Sequence, residues 1–182
     1  LTENRMHVRA IDAPDAAKAL TAMVLANDAE IDTRAGDPLE LALLDHAAEQ
    51  GVHARDMARL HPRDSCLPFD SAWKFMRVTV TQEGRRTSYL KGAPEVLLER
   101  STLADKEREE WEAKALSYAA EGYRVIALAC REDEGDEQLT FLGLVLLWDP
   151  PRAEVPEAIR RAQDAGIRVV MITGDHGVTA SA

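Results

Sequence analysis

Cysteine is scarce. Cys66 and Cys130 are the two in 182 residues, and no CxxC or Cys-His spacing surrounds either, so the sequence points to neither a disulfide framework nor a zinc site. A reducing compartment fits that usage. Basic residues are also in deficit: 22 Lys and Arg stand against 32 Asp and Glu, a formal net charge of -10. Binding a polyanionic backbone depends on clustered cations that release counterions, so a broad DNA or RNA surface is excluded. Long apolar runs are missing too. The longest, residues 142–148, is strand-sized, whereas a membrane-spanning helix needs about 20 apolar residues. The opening Leu1-Thr2-Glu3-Asn4-Arg5-Met6 has no signal-peptide architecture. It lacks an initiator methionine, and Ala182 comes shortly after a turn, so we expect a piece of a longer chain. His7, His46, His53, His61 and His176 show no metal-ligand spacing, and surface or capping roles fit them. No repeat or low-complexity tract is visible, which disfavours a solenoid or a flexible scaffold.

What is present is a globular composition, with 46% of residues hydrophobic and length for one domain, or one domain and part of a second. Asp12 is expected to cap a helix with Pro14 in its first turn, whose Leu20, Met23 and Val24 recur at helical spacing until Asn27. Asp37-Pro38-Leu39-Glu40 announces a second helix, with Leu39, Leu43 and Ala47 on one side and Gly51 as its terminator. Met76, Val78 and Val80 alternate with polar neighbours, Gly84 can turn the chain, and residues 87–91 return, which reads as a hairpin. Pro94 opens a short helix, a charged helix covers residues 105–121, and Gly122 precedes a strand at 123–129. The acidic run at 132–137 reads as a solvated connection.

After Leu139 the texture changes. A strand through Leu147, an Asp-Pro-Pro-Arg turn, a helix over 153–165 and an apolar strand at 167–172 form a βαβ pattern, which implies a parallel sheet. The earlier part mixes hairpins and helices, as an antiparallel α+β domain does. The boundary is expected near Leu144.

Five motifs then occur in one order: Leu1-Thr2-Glu3-Asn4-Arg5-Met6; Phe69-Asp70-Ser71 with Lys74 and Met76; Lys91-Gly92-Ala93-Pro94-Glu95; Asp149-Pro150-Pro151-Arg152; and Met171-Ile172-Thr173-Gly174-Asp175. In order and spacing the chain resembles the cytoplasmic ATP-binding part of P-type cation-transporting ATPases. The resemblance implies an α+β fold: a nucleotide-binding domain, an antiparallel β-sheet flanked by helices, over residues 7–144. It also implies a partial haloacid-dehalogenase-like phosphorylation domain formed from residues 1–6 and 145–182. The family's acceptor aspartate, in Asp-Lys-Thr-Gly-Thr, would lie just before Leu1, and its later magnesium- and phosphate-binding segment beyond Ala182. The parent would transfer the γ-phosphoryl of Mg-ATP to that aspartate and drive a cation across a membrane, with ATP and Mg2+ as cofactors. Its partners would be the phosphorylation, actuator and transmembrane domains of the same pump, at the cytoplasmic face of the cell membrane. Thr-Glu-Asn-Arg-Met and Phe-Asp-Ser look most like calcium-type pumps. This segment alone would bind nucleotide and complete no cycle.

The site residues carry both local and family-implied readings. Phe69 is either strand-end core or a ring on which adenine stacks. Lys74 and Lys91 flank the hairpin, either as solvated cations or facing one pocket and a triphosphate, and Gly92 leaves room for close approach beside Lys91. Glu40, three residues after Asp37, suits a reciprocal capping interaction; the resemblance puts it by the adenine amino group. Arg124 interrupts an apolar strand, as an edge residue or a phosphate fork. Asp149 caps a helix or, with Arg152, touches ribose or phosphate when two domains close. Thr173, Gly174 and Asp175 follow a strand's carboxyl end, where ligands sit in open α/β sheets; the resemblance makes them the phosphate pocket. Ser71 stands where some relatives carry an arginine, so one phosphate contact is either missing or supplied by Lys74. No protein metal site is expected. The alternatives are a haloacid-dehalogenase-like phosphatase with a cap domain, or a non-catalytic nucleotide-binding module.

Overall fold

The computed structural model describes residues 5–82, 84–150 and 152–170. Six strands, β1 (His7–Asp12), β2 (Arg63–Asp70), β3 (Phe75–Gln82), β4 (Arg85–Gly92), β5 (Arg124–Glu132) and β6 (Thr140–Trp148), form one sheet. Their spatial order is β1-β6-β5-β4-β3-β2, and every neighbouring pair is antiparallel. Helices α1 (Ala16–Leu25), α2 (Pro38–Glu49) and α3 (Ala54–Leu60) precede β2. Helices α4 (Pro94–Glu99) and α5 (Asp105–Ala120) lie between β4 and β5, and α6 (Val155–Asp164) follows β6.

Both faces of the sheet are covered. Met23 of α1 and Leu43 of α2 pack with Leu128, Val145 and Leu147 on one side. Leu97 and Leu98 of α4, with Trp111 of α5, pack with Phe75, Leu90, Ala127 and Leu144 on the other. A strand between two helical layers is apolar on both faces, so its hydrophobic run is nearly continuous. That accounts for residues 142–148, whose run was expected to mark a parallel βαβ unit: β6 pairs antiparallel with β1 and β5. Residues 167–170 form no strand, and Met171 and Ile172 lie outside the described residues. The boundary expected near Leu144 falls inside β6, whose pairing with β1 runs on to Trp148. A bulge at Leu128/Ala129 shifts the β5–β6 register beside Gly143. There φ is +136°, and an added Cβ would meet the Asp12 carbonyl oxygen at 2.4 Å. Only glycine fits that crossing.

Local signals at α2 hold. Asp37 accepts a hydrogen bond from the Leu39 amide at 2.8 Å, Pro38 occupies the first turn, and Leu39, Leu43 and Ala47 are buried. The first helix differs. Its cap is Asp15, which accepts from the Lys18 amide at 3.1 Å. Asp12 instead ends β1 and accepts from the Tyr118 hydroxyl at 2.8 Å and Lys114 Nζ at 3.0 Å, joining β1 to α5. A carboxylate before a helix can serve either partner, and the strand extends far enough to give Asp12 to α5.

The acidic run at 132–137 is not a free connection. Glu134 accepts from Ser65 Oγ at 3.0 Å on β2, from Arg77 at 3.2 Å on β3 and from Arg86 at 2.5 Å on β4. Asp133 donates its amide to the Arg86 carbonyl, and the Arg100 guanidinium donates to Glu137. Opposite charges across three strands turn the run into a strap. Hydrogen bonding from Arg86 and then Ser65 holds the Glu134 carboxyl below its usual value of 4.5. A carboxylate whose folded pKa is depressed stabilises above its unfolded pKa, and that contribution disappears as pH falls through the folded one. Glu134→Gln is therefore expected to lower the melting temperature at neutral pH, with the gap to wild type closing below pH 4.5. Melting curves across that range test it; a gap independent of pH would show that the strap's carboxylate charge contributes nothing.

Candidate functional site

At one end of the sheet, the start of α2, the β2–β3 loop, the end of β4, the start of α4, one side of α5 and the start of β5 enclose a cavity of about 660 Å³. Glu40, Phe69, Lys74, Lys91, Gly92 and Arg124 all line it. These six come from positions far apart in the chain, and the antiparallel topology brings them together.

Lys91 lies at the floor. It pairs with Met76 on β3 and Leu128 on β5, and its side chain reaches Glu40 on α2, with Nζ to Oε2 at 2.5 Å. The lysine is only 5% exposed. Burial pulls its pKa below the ordinary lysine value, and the Glu40 carboxylate pulls in the opposite direction. The Glu40 side chain thus goes to a cation across the cavity, where a reciprocal cap was the local expectation. Its own carbonyl accepts from Asn27 Nδ2 at 3.0 Å. Asn27 is buried and also donates to the Met23 carbonyl, so it pins the start of α2 against α1. A buried asparagine just past a helix end was the signal for this role.

Lys74 and Phe69 form the rim. Phe69 is 60% exposed, so its ring is a wall of the cavity and not strand-end core. In the loop between β2 and β3, Asp70 accepts from the Ala72 amide at 2.8 Å and Trp73 Nε1 donates to the Pro68 carbonyl at 3.3 Å. Lys74 follows in the left-handed region, φ +61°, uncommon for a residue with a side chain. Two backbone bonds hold it there: its amide donates to the Asp70 carbonyl at 2.7 Å, and its carbonyl accepts from the Ala93 amide at 2.9 Å. Its ammonium pairs with Glu95 of α4 at 3.1 Å. Arg124 opens β5, an interior strand, which removes the edge-strand reading of the two open for it, and it lines the same space.

Asp149 and Arg152 do not line the cavity. Asp149, just past β6, accepts from the Arg5 amide just before β1 at 3.3 Å. It does not cap α6, whose capping position is Glu154. The Arg152 carbonyl accepts from the Val155 amide at 3.0 Å. Thr173, Gly174 and Asp175 lie outside the described residues. Sequence reasoning missed the α5 wall, built from Glu112, Leu116 and Ala119. Trp111, Ala115 and Tyr118 carry that helix's core stripe. Leu116, 57% exposed in a charged helix, was the available signal for a second face. Among the described residues no group of three or more His, Cys, Asp or Glu could hold a metal ion, and no helix there is long and apolar enough to cross a membrane.

Comparison with known proteins follows the same architecture. The family model described as P-type ATPase, cytoplasmic domain N, matches residues 15–154. The chain is 34% identical over 187 residues to Calcium-transporting ATPase 1 of Lactococcus lactis, covering 90% of this chain and 21% of that protein. It is 40% identical over 187 residues to Cation-transporting ATPase pma1 of Synechocystis, covering 90% and 20%. It is 31% identical over 176 residues to Sodium/potassium-transporting ATPase subunit alpha-4 of Homo sapiens, covering 81% and 17%. The chain thus spans about a fifth of the length of these relatives.

The cavity floor depends on close packing at the end of the hairpin. A Cβ added at Gly92 would meet the Lys74 carbonyl oxygen and Phe75 Cβ, both at 2.5 Å. Both neighbours are held by the sheet or its loop and cannot swing aside as a long side chain would. Gly92→Ala is expected to cost about 1–3 kcal/mol of stability by overpacking. Urea denaturation measures this; an unchanged midpoint would mean that the β3–β4 end yields to a methyl group.

Proposed function

We propose that this chain, which belongs to the P-type ATPase cytoplasmic N-domain family, binds ATP in the cavity at the end of its sheet. The observation that carries the reading is the convergence of Glu40, Phe69, Lys74, Lys91, Gly92 and Arg124 on one space. An exposed aromatic ring offers a stacking platform for adenine. Glu40, already held by Lys91, offers a carboxylate to the exocyclic amine. The Lys74 ammonium and the Arg124 guanidinium offer charge to phosphate oxygens, while Lys91, paired with Glu40, fixes the floor beneath them. Gly92 lets the end of β4 close against Lys74 and Phe75, which sets the floor beside the ligand.

In the parent protein the bound nucleotide would donate its γ-phosphoryl to an aspartate of a phosphorylation domain, at the cytoplasmic face of a membrane. The resulting phosphoenzyme would drive transport of a cation, calcium in our reading. Residues 1–6 and the chain from about Asp149 onward would belong to that second domain. Asp149 and Arg152 would meet ribose or phosphate on domain closure, and Thr173, Gly174 and Asp175 would form the phosphate pocket. Magnesium would arrive with the nucleotide. The chain has no Asp-Lys-Thr-Gly-Thr segment, so by itself it would hold nucleotide without turning it over. The match of residues 15–154 to the P-type ATPase cytoplasmic domain N favours this reading over the phosphatase alternative.

Phe69→Ala tests the reading with little risk to folding, because the ring is already mostly exposed. A lost stack of about 1–3 kcal/mol corresponds to ATP binding about 5- to 150-fold weaker. Calorimetric titration reads the affinity and circular dichroism the fold. Wild-type affinity in a folded Phe69→Ala variant would remove the ring from the site, and no ATP binding by the wild type would remove the proposal.

A further inference from the structure

The charges around the cavity do not match a polyanionic ligand. Its lining includes Lys74, Lys91 and Arg124, but also Asp37, Glu40, Glu95 and Glu112, so the carboxylates outnumber the cations. Two of the carboxylates have structural work: Asp37 caps α2 through the Leu39 amide, and Glu40 neutralises the buried Lys91. Glu95 is different. It reaches across from α4 to Lys74, Oε1 to Nζ at 3.1 Å, and no other side-chain hydrogen bond or ion pair holds it among the described residues. Both partners are solvated, Lys74 at 54% and Glu95 at 62% side-chain exposure. The Lys74 backbone is fixed by bonds to Asp70 and Ala93, which keeps the root of its side chain at the rim.

We infer that Glu95 is a built-in competitor for the ligand's phosphates, occupying Lys74 in the empty cavity and lowering nucleotide affinity; this rests on the ATP-binding reading above. A carboxylate and a phosphoryl group make the same kind of charge-assisted bond to an ammonium. The ligand must therefore take Lys74 from Glu95 and leave a carboxylate nearby. An exposed ion pair is weak, so the exchange is easy and reversible. Glu95 swings into water when displaced, so its effect on affinity is exerted through its claim on Lys74. The arrangement keeps the site from holding nucleotide too tightly, which suits a domain that must bind and release it.

The test is a double-mutant cycle on the full chain, with ATP and AMP as ligands. Glu95→Gln is expected to bind ATP about two- to fivefold tighter, the range set by an exposed pair. The gain for AMP should be smaller, and ATP affinity should depend more steeply on salt once the cation is unmasked. In a Lys74→Ala background the gain for ATP should vanish; Lys74→Asn, which tolerates the left-handed backbone, replaces that variant if it does not fold. Wild-type ATP binding with no gain in Glu95→Gln overturns this inference and leaves the proposed function standing. A gain that persists without Lys74 overturns it as well, since the effect would then be general repulsion. Absence of ATP binding by every variant and by wild type overturns both.

Discussion

Lys91 and Glu40 meet because two unrelated pieces of local structure place them opposite each other, and the cavity is organised around that meeting. The lysine ends a strand in the middle of the sheet, and the glutamate sits in the first turn of a helix covering one of its faces. Bringing an ammonium out of water costs several kcal/mol, and an ion pair returns only part of it. A methionine of similar volume at position 91 would give an ordinary core. A buried pair at the bottom of an open space is better understood as fixing position and charge than as adding stability. Removing either partner alone would leave a charge with no counterpart, so the two constrain each other. Asn27 extends the constraint to α1 by holding the Glu40 backbone from below.

The parts of this arrangement that sequence revealed are those written in short-range chemistry. Asp37-Pro38 specifies a helix start through a capping oxygen and a residue that needs no amide bond, and both act where expected. The β3–β4 hairpin was legible from alternating residues on either side of a turn. Phe69, Lys74 and Lys91 were identifiable as a set through resemblance, and the legible hairpin already put Lys74 beside Lys91; the approach of Glu40 and Arg124 depends on the packing of α2 and the placing of β5 beside β4, which no local signal encodes.

The misreadings share a cause. Asp12, the acidic run and residues 142–148 were each interpreted by what their immediate neighbours would do. Asp12 has partners on α5, more than a hundred residues on. Glu134 has partners on three strands that precede it. An apolar run reports burial on both faces but carries no information about the direction of the neighbouring strand, so β6 could be read as parallel when it is not. The α5 wall was hidden because that helix divides its surface between a core stripe and a second, partly apolar side, which blurs a single period.

The cavity's floor and rim differ in stiffness as a result. Lys91 and Gly92 belong to β4, which is paired on both sides, and Glu134 clips β4 to β2 and β3 farther along the hairpin. Groups held on a paired strand keep their geometry better than groups on loops. Phe69 stands near the end of the edge strand and Lys74 on the loop that follows, both largely exposed. A ligand entering this space would find the deep cation already neutralised and fixed, and would do its adjusting at the rim, where the ring is bare and the lysine is shared with Glu95. Affinity for such a ligand would then be set mainly by the exposed side chains, because the buried pair is already satisfied without it.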